Sequence, residues 1–240
     1  MTKSRNTSRS DRQQLEEFGY AVIPEVLTPA DVSKFKQQLD QVAATTAGTR
    51  KLLHEPWCRR LAEQLKDARQ LQPLIPVDAV AVQCTSFVKS LENNWLVALH
   101  QDLSIPVAAR VNSSRCSGWT EKESGLFVQP PILVLENSLA VRIHLDDCDE
   151  RNGALRVLPA SHRLGRLSPH SIGKLREQSG EKYVPVLCGG AMLMRPLLCH
   201  ASSKVSVSNA RRVLHFVFGP QTLPEGLQWP LRQFGSGAAS

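Results

Sequence analysis

The segment Leu99-His100-Gln101-Asp102-Leu103 contains an imidazole and a carboxylate two positions apart. Successive side chains of a β-strand point to opposite faces, so His100 and Asp102 would project from the same face of a strand. Together they can offer two adjacent ligand atoms to one metal ion. The spacing alone is common, and a pair of residues that only bind each other would show it too. A metal site therefore needs a third ligand from elsewhere in the chain.

His200 is the best candidate for this third ligand, because it ends the strand-like stretch Leu197-Leu198-Cys199-His200. Two histidines and one carboxylate on one face of an octahedron form the facial triad of non-heme Fe(II) oxygenases. A 2-oxoglutarate co-substrate would also need a buried cation for its far carboxylate, and the guanidinium fork of arginine suits this role. Arg211 heads a later strand, but the alternation alone does not decide whether Arg211 or Arg212 faces the interior.

The elements that must position these residues are helical in the first part of the chain and β in the second. Thr28-Pro29 predicts a helix start, and Pro56 predicts a second one. After Val77 the hydrophobic period changes to that of strands. The predicted strands cover 19–24, 79–85, 95–99, 139–146, 155–159, 191–194, 197–200 and 211–218. Asn152-Gly153 predicts a tight turn, and hence a hairpin that joins 139–146 to 155–159.

These elements predict a mainly β fold with flanking helices, either a barrel or a sandwich. Along the chain we expect a flexible tail at 1–14, one domain at 15–220 and a partly frayed extension at 221–240. The polar segment 112–129 between strands is expected to be a loop, and it is either a lid over the site or a simple insertion.

The chain resembles the phytanoyl-CoA dioxygenase family of Fe(II)/2-oxoglutarate oxygenases from about Leu15 to Gly219. The motifs that carry the resemblance are FGYAVIP at 18–24, Trp95 followed by His100-Gln101-Asp102, HLDDCDERNGALRVLPASH at 144–162, and His200 with Arg211 eleven residues later. The combination is specific, although each piece alone is weak. One departure is Ala160, where the family usually has glycine.

The resemblance implies a double-stranded β-helix, which is a jelly-roll or cupin-like barrel. It implies Fe(II) bound by His100, Asp102 and His200, with 2-oxoglutarate and O2 as co-substrates. The presence of Asp102 argues against the halogenating relatives, in which a small residue opens this position for halide.

The resemblance further implies three residues that bind the co-substrate. Arg211 would anchor the far carboxylate of 2-oxoglutarate, and Ser202 would help to hold the same group. Gln83, on the strand before the His-x-Asp segment, would line the pocket for co-substrate and substrate. Among the remaining histidines, we interpret His144 and His162 as structural, while His215 is either structural or a pocket residue.

Composition limits the other classes of function. The 240 residues carry a formal net charge of +7, but the basic residues are dispersed, so we expect no nucleic-acid partner. The longest apolar runs are far shorter than the ~18–20 residues of a membrane helix, so we expect no membrane partner. Six cysteines without a CxxC pair fit reduced thiols in the cytoplasm.

The expected activity is the hydroxylation of an unidentified small organic substrate, with release of succinate and CO2. The net positive charge is compatible with an anionic substrate. Two alternatives are a barrel of the same fold that binds metal or acts as a sensor without catalysis, and an oxygenase that acts on nucleic acid. The sequence contains no heptad seam or other sign of an oligomer interface, so the oligomeric state stays open.

Overall fold

The structure, a computed structural model, describes residues 7–43, 48–123, 125–208 and 210–230. The α-helices within these ranges are α1 (Thr7–Phe18), α2 (Pro29–Ala43), α3 (Pro56–Asp67), α4 (Ile132–Glu136) and α5 (Pro169–Ser179). The strands are β1 (Tyr20–Ile23), β2 (Val80–Lys89), β3 (Val97–His100), β4 (Ile105–Pro106), β5 (Ser117–Lys122), β6 (Gly125–Gln129), β7 (Leu139–His144), β8 (Leu155–Val157), β9 (Lys182–Val184), β10 (Ala191–Met194), β11 (His200–Ser202) and β12 (Arg211–Gly219).

The strands form three antiparallel sheets. The major sheet has the order β1-β10-β7-β12-β2, and the minor sheet has the order β3-β11-β8-β9. A third sheet, β4-β6-β5, lies at one end. Side chains of the major and minor sheets line one common cavity. This arrangement confirms the predicted class, a mainly β jelly-roll with flanking helices.

The main hydrophobic core lies between the major sheet and the helices α2 and α3. Along β12 the side chains alternate, so that Leu214, Phe216 and Phe218 pack towards the helices and are fully buried. The intervening Arg211, His215 and Val217 line the cavity on the other face. The core residues from the two helices are Val32, Phe35, Leu39, Trp57, Cys58, Leu61, Ala62 and Leu65.

Helix α2 begins where its sequence predicts. The backbone amide of Asp31 donates to Thr28 Oγ1 at 3.2 Å, and the amide of Thr28 donates to the Asp31 carboxylate at 3.3 Å. This reciprocal pair satisfies two amides that have no partner inside the helix. Helix α3 begins at the predicted Pro56.

The predicted hairpin at Asn152-Gly153 is wrong. Strand β7 pairs with β10 and β12 in the major sheet, whereas β8 pairs with β11 and β9 in the minor sheet. Residues Glu150–Asn152 form a short 3-10 helix instead of a hairpin turn, and the Asp149 side chain caps it. The Asn152 side chain donates to Asp147 O at 2.6 Å, so it stabilises a crossing between the two sheets.

The two ends of the chain differ from the predicted boundaries. Residues 7–14 were expected in the flexible tail, but they form the first part of helix α1. In the predicted extension, Leu227 and Trp229 are buried against the second hydrophobic cluster. Residues 1–6 and 231–240 lie outside the described part of the chain. Among the described residues, every helix is too short or too polar to cross a lipid bilayer.

Candidate metal and co-substrate site

The cavity between the major and minor sheets has a volume of about 520 Å³. This size falls within the range of ~300–1,000 Å³ that is typical of sites for small molecules. Among the described residues, its lining contains the single carboxylate of Asp102 and five cationic side chains, namely Arg50, Lys89, Lys122, Arg142 and Arg211. The cavity is therefore strongly electropositive before any metal ion is added.

His100, Asp102 and His200 meet at the minor-sheet wall of this cavity. His100 ends β3 and His200 begins β11, and the two residues are paired across the strands. One oxygen of Asp102 lies 3.7 Å from His100 Nε2, and the other lies 3.7 Å from His200 Nε2. The three ligand atoms all lie within 4.8 Å of one another, so one ion can contact all three.

The hydrogen bonds of the two histidines orient their rings for binding a metal ion through Nε2. His100 Nδ1 lies 2.8 Å from Ala98 O, and His200 Nδ1 lies 2.9 Å from Leu198 O. A carbonyl oxygen only accepts, so each Nδ1 carries a proton, and in the neutral ring Nε2 then keeps a free lone pair. Histidines that bind metals are commonly oriented in this way. The donor set of two imidazoles and one carboxylate suits Fe(II).

The three side chains also shift one another's pKa values. Enclosure raises the pKa of Asp102, but attraction to His200 and contact with His100 outweigh it and hold that pKa well below its usual range. Interaction with Asp102 raises the pKa of His100 despite its burial. Burial lowers the pKa of His200, which favours the neutral imidazole that a metal requires.

Gln101 positions the His-x-Asp segment, a role that the sequence analysis missed. Strand β3 ends at His100, and Gln101 follows it with a buried side chain. Gln101 Nε2 donates to Gly165 O at 2.8 Å and to Leu197 O at 2.7 Å, and Oε1 accepts from Leu167 N at 2.8 Å. No local pattern in the sequence indicated this role, because the partners lie 64 and 96 residues away in the chain.

The structure separates the two arginines that the sequence left as alternatives. Arg211 is only 2% exposed and lines the cavity, where its Nη1 donates to Gly153 O at 2.6 Å. Arg212 points to the opposite face and binds the Asp146 carboxylate through Nε and Nη2, at 2.9 Å and 3.1 Å. Only Arg211 is therefore available to a ligand in the cavity.

Lys89 is a second cation beside Arg211 that the sequence analysis did not identify. The two residues are directly paired across β2 and β12. Lys89 Nζ donates to Ser202 Oγ at 2.6 Å and to Ser203 O at 2.8 Å. Burial, followed by the neighbouring Arg211 and Arg142, lowers the pKa of Lys89 to about 7. Arg211, Lys89 and Ser202 thus gather donors at one end of the cavity.

Gln83 and one of the three remaining histidines of the sequence analysis line the cavity. Gln83 lines the cavity from β2, and its Nε2 donates to Thr85 Oγ1 at 2.9 Å. His215 lines the cavity, whereas His144 and His162 are not among the lining residues. The segment 112–129 was expected to be a loop, but it contains β5 and β6 of the third sheet.

The sequence analysis assigned no role to Arg142, which lies in strand β7. It is 5% exposed, lines the cavity, and its Nη1 lies 3.0 Å from His215 Nδ1. Burial and the neighbouring Arg211 lower the pKa of Arg142 to about 10, so it is a cation at pH 7. Burial and Arg142 lower the pKa of His215 to about 3, so this imidazole is neutral.

Solved structures with the same fold include proteins described as dependent on, or bound to, 2-oxoglutarate (alpha-ketoglutarate). The carbocyclase SnoK from nogalamycin biosynthesis, described as non-heme and alpha-ketoglutarate-dependent, matches with a TM-score of 0.68 at 15% identity, covering 94% of this chain and 91% of its own. HygX from Streptomyces hygroscopicus, with nickel and 2-oxoglutarate bound, matches with 0.64 at 18% identity, covering 90% and 88%. EctD from S. alaskensis matches with 0.67 at 17% identity, covering 95% and 84%.

At these identities the likeness establishes the jelly-roll fold. No curated protein matches the chain in sequence. Residues 15–213 match the family described as phytanoyl-CoA dioxygenase, which is more than four fifths of the chain. The chain therefore belongs to the phytanoyl-CoA dioxygenase family of non-heme Fe(II)/2-oxoglutarate oxygenases.

Proposed function

We propose that the protein is an Fe(II)- and 2-oxoglutarate-dependent dioxygenase that hydroxylates a small organic molecule and releases succinate and CO2. The observation that carries this proposal is the donor set of His100, Asp102 and His200, whose ligand atoms lie within 4.8 Å of one another. Both histidines present an unprotonated Nε2 to the shared point. When bound, the iron would supply the oxidative chemistry that no amino-acid side chain can perform.

In this proposal the end of the cavity around Arg211 binds the co-substrate. Arg211 and Lys89 offer two cations to the far carboxylate of 2-oxoglutarate, and Ser202 offers a hydroxyl beside them. An arginine fork binds a carboxylate through two parallel hydrogen bonds, which orients the molecule as well as holding it. Gln83 lines the same cavity and is available to co-substrate or substrate.

We further propose that the substrate is a small anionic molecule and that nucleic acid is not a partner. Five cations and one carboxylate line the cavity, which leaves positive charge unmatched after a co-substrate dianion is bound. Three of these cations, Lys89, Arg142 and Arg211, are buried, where a small anion fits better than an extended phosphate backbone. The six free cysteines support a cytoplasmic location.

The experiment that tests the function is anaerobic addition of Fe(II) and then 2-oxoglutarate to metal-free protein. We expect a visible charge-transfer band in the wild type. His200→Ala should abolish the band, and Arg211→Met should raise the 2-oxoglutarate concentration needed for it by at least tenfold. Arg212→Met is the matched control, because it removes a guanidinium outside the cavity, and it should leave the titration unchanged.

The outcomes separate this function from the alternatives. A wild type without the band would contradict the assignment of iron and co-substrate. A band without succinate formation under any condition would favour a barrel that binds metal but does not catalyse. Steeply salt-dependent binding of DNA or RNA would favour a nucleic-acid substrate instead.

A further inference from the structure

Arg142 is a buried cation without a salt bridge, and the Asp102 carboxylate attracts it only from beyond salt-bridge distance. Among the described residues, no carboxylate forms an ion pair with it, and its Nε has no hydrogen-bond partner. Its polar contact is with the neutral His215 at 3.0 Å, and its guanidinium lies 5.4 Å from the centre of the Phe87 ring. These contacts orient the guanidinium without neutralising it. An unpaired buried charge destabilises a fold, so its presence in a cavity indicates a role in binding.

His215 completes a pair of donors on this wall. The guanidinium can only donate, so His215 Nδ1 accepts from Arg142, and the proton of the neutral ring is on Nε2. Among the described residues, no protein group accepts from this Nε2. Both side chains line the cavity, so a ligand oxygen can receive hydrogen bonds there from both residues.

Arg142 and His215 lie further along the major sheet than the place proposed for the co-substrate tail, although Arg142 and Arg211 are close enough to repel each other. Strand β12 carries both Arg211 and His215, and the four residue steps from one to the other span roughly 13 Å along a strand. Arg211 is paired with Lys89, whereas His215 is paired with Arg142 across β7. The apolar side chains of Phe87, Phe127, Leu135 and Val217 line the same cavity and could contact an aliphatic body.

We propose that Arg142, oriented by His215 and Phe87, binds a carboxylate of the organic substrate, so that the enzyme takes small molecules that carry a carboxylate. This inference rests on the proposed function and names the substrate class of that site. A planar guanidinium matches a carboxylate better than it matches a neutral hydroxyl group, because both the charge and the fork geometry contribute.

The test compares two probes that differ only in the head group, hexanoate and hexan-1-ol. Their dissociation constants are measured by calorimetry on the full chain, loaded anaerobically with Fe(II) and saturating 2-oxoglutarate. We expect the wild type to bind hexanoate at least tenfold more tightly than hexan-1-ol. Arg142→Met should reduce this preference to threefold or less, through lost affinity for hexanoate, while Arg212→Met should retain it.

Arg142→Lys and His215→Phe keep the test decisive if Arg142→Met does not fold, which near-ultraviolet circular dichroism reports. Arg142→Lys keeps the charge and should retain part of the preference, whereas His215→Phe removes a donor and should lower it. Equal binding of both probes by the wild type, no binding of hexanoate, or an unchanged preference in every foldable variant at Arg142 and His215 would overturn the inference.

The charge-transfer titration separates this inference from the proposed function. If Arg142→Met weakened 2-oxoglutarate binding as much as Arg211→Met does, Arg142 would serve the co-substrate and the inference would be wrong. If the wild type gave no band but preferred hexanoate through Arg142, the carboxylate site would stand and the oxygenase function would fail.

Discussion

Three successive residues divide two tasks between them at the wall of the cavity. His100 and Asp102 present ligand atoms to the cavity, whereas Gln101 between them binds three backbone groups. Because Gln101 joins the segments around Gly165, Leu167 and Leu197, it ties the two proposed metal ligands to two other parts of the chain. Positioning groups of this kind tune metal affinity nearly as strongly as the ligands do.

We predict that Gln101→Leu weakens Fe(II) binding by ~10–100-fold, because the two ligands lose their orientation. The loss of three hydrogen bonds from buried groups should also lower the free energy of unfolding by ~1–3 kcal/mol. Fe(II) titration and urea unfolding measure the two effects. Gln64→Leu, at an exposed position of α3, is the control. Wild-type iron affinity in Gln101→Leu would show that the segment holds its shape without this side chain.

At the scale of elements, the turn that follows β8 contains a strained residue. Ala160 has a φ of +64°, in the left-handed region that favours glycine, the residue that the family resemblance leads us to expect here. The amide of Ala160 donates to Phe18 O at 2.9 Å, which fixes the turn against the end of α1. The turn therefore keeps its conformation although alanine is unfavourable there.

We predict that Ala160→Gly stabilises the protein. Relief of the left-handed conformation is worth ~1–2 kcal/mol, and the greater freedom of glycine in the unfolded chain opposes it by ~0.4–1 kcal/mol. The net gain should be roughly 1 kcal/mol, measurable by denaturant unfolding. Ala98→Gly, at an exposed strand position, is the control. A loss of stability in Ala160→Gly would show that the turn is not strained.

At the scale of the whole molecule, the side chain of Lys89 connects the major and minor sheets. Lys89 belongs to the major sheet but donates to Ser202 and Ser203 at the end of the minor sheet. Its pKa is lowered to about 7, first by burial and then by the guanidinium of Arg211. Near neutral pH a large fraction of Lys89 is therefore uncharged, and a bound anion would favour its protonation.

We predict that binding of 2-oxoglutarate at pH 8 takes up close to one proton and that affinity falls as the pH rises from 7 to 9. Calorimetry in buffers of different ionisation enthalpy measures the proton uptake. Lys89→Met should abolish it, while Lys66→Met, at a lysine outside the cavity, should not. Proton uptake that persists in Lys89→Met would assign it to another group.

The same pKa fixes the sign of a stability effect. Between about pH 7 and the ordinary lysine pKa of ~10.4, the unfolded chain holds a proton on Lys89 that the folded protein has released. The contribution of Lys89 to the free energy of unfolding therefore rises with pH across this window. Lys89→Met should remove that rise, and an identical pH dependence in variant and wild type would contradict it.

The sequence predicted the parts of the site that depend on local periodicity. The His-x-Asp spacing and the stretch before His200 indicated ligands on strands, and the structure brings their ligand atoms together. The alternation along β12 likewise predicted two faces, one of which is buried against the helices. Strand alternation is a property of the backbone, so it can be read without knowledge of the partners.

The same periodicity failed where partners decide the outcome. Asn152-Gly153 has the local signature of a hairpin turn, but the strands on either side pair in different sheets. Their partners, β10, β11 and β12, lie much later in the chain. Arg142 was missed for a similar reason, because the sequence alone does not show that one face of strand β7 lines a cavity.

By itself, the sequence determined the donor types, their spacing, the family and the mainly β class. Tertiary structure alone decided that Arg211 and not Arg212 faces the cavity, since alternation gives two equivalent faces until one is covered by helices. It also brought Lys89 to Ser202, which is 113 residues away in the chain. Such contacts depend on how the two sheets close over each other, so the charge of the cavity is a property of the folded molecule.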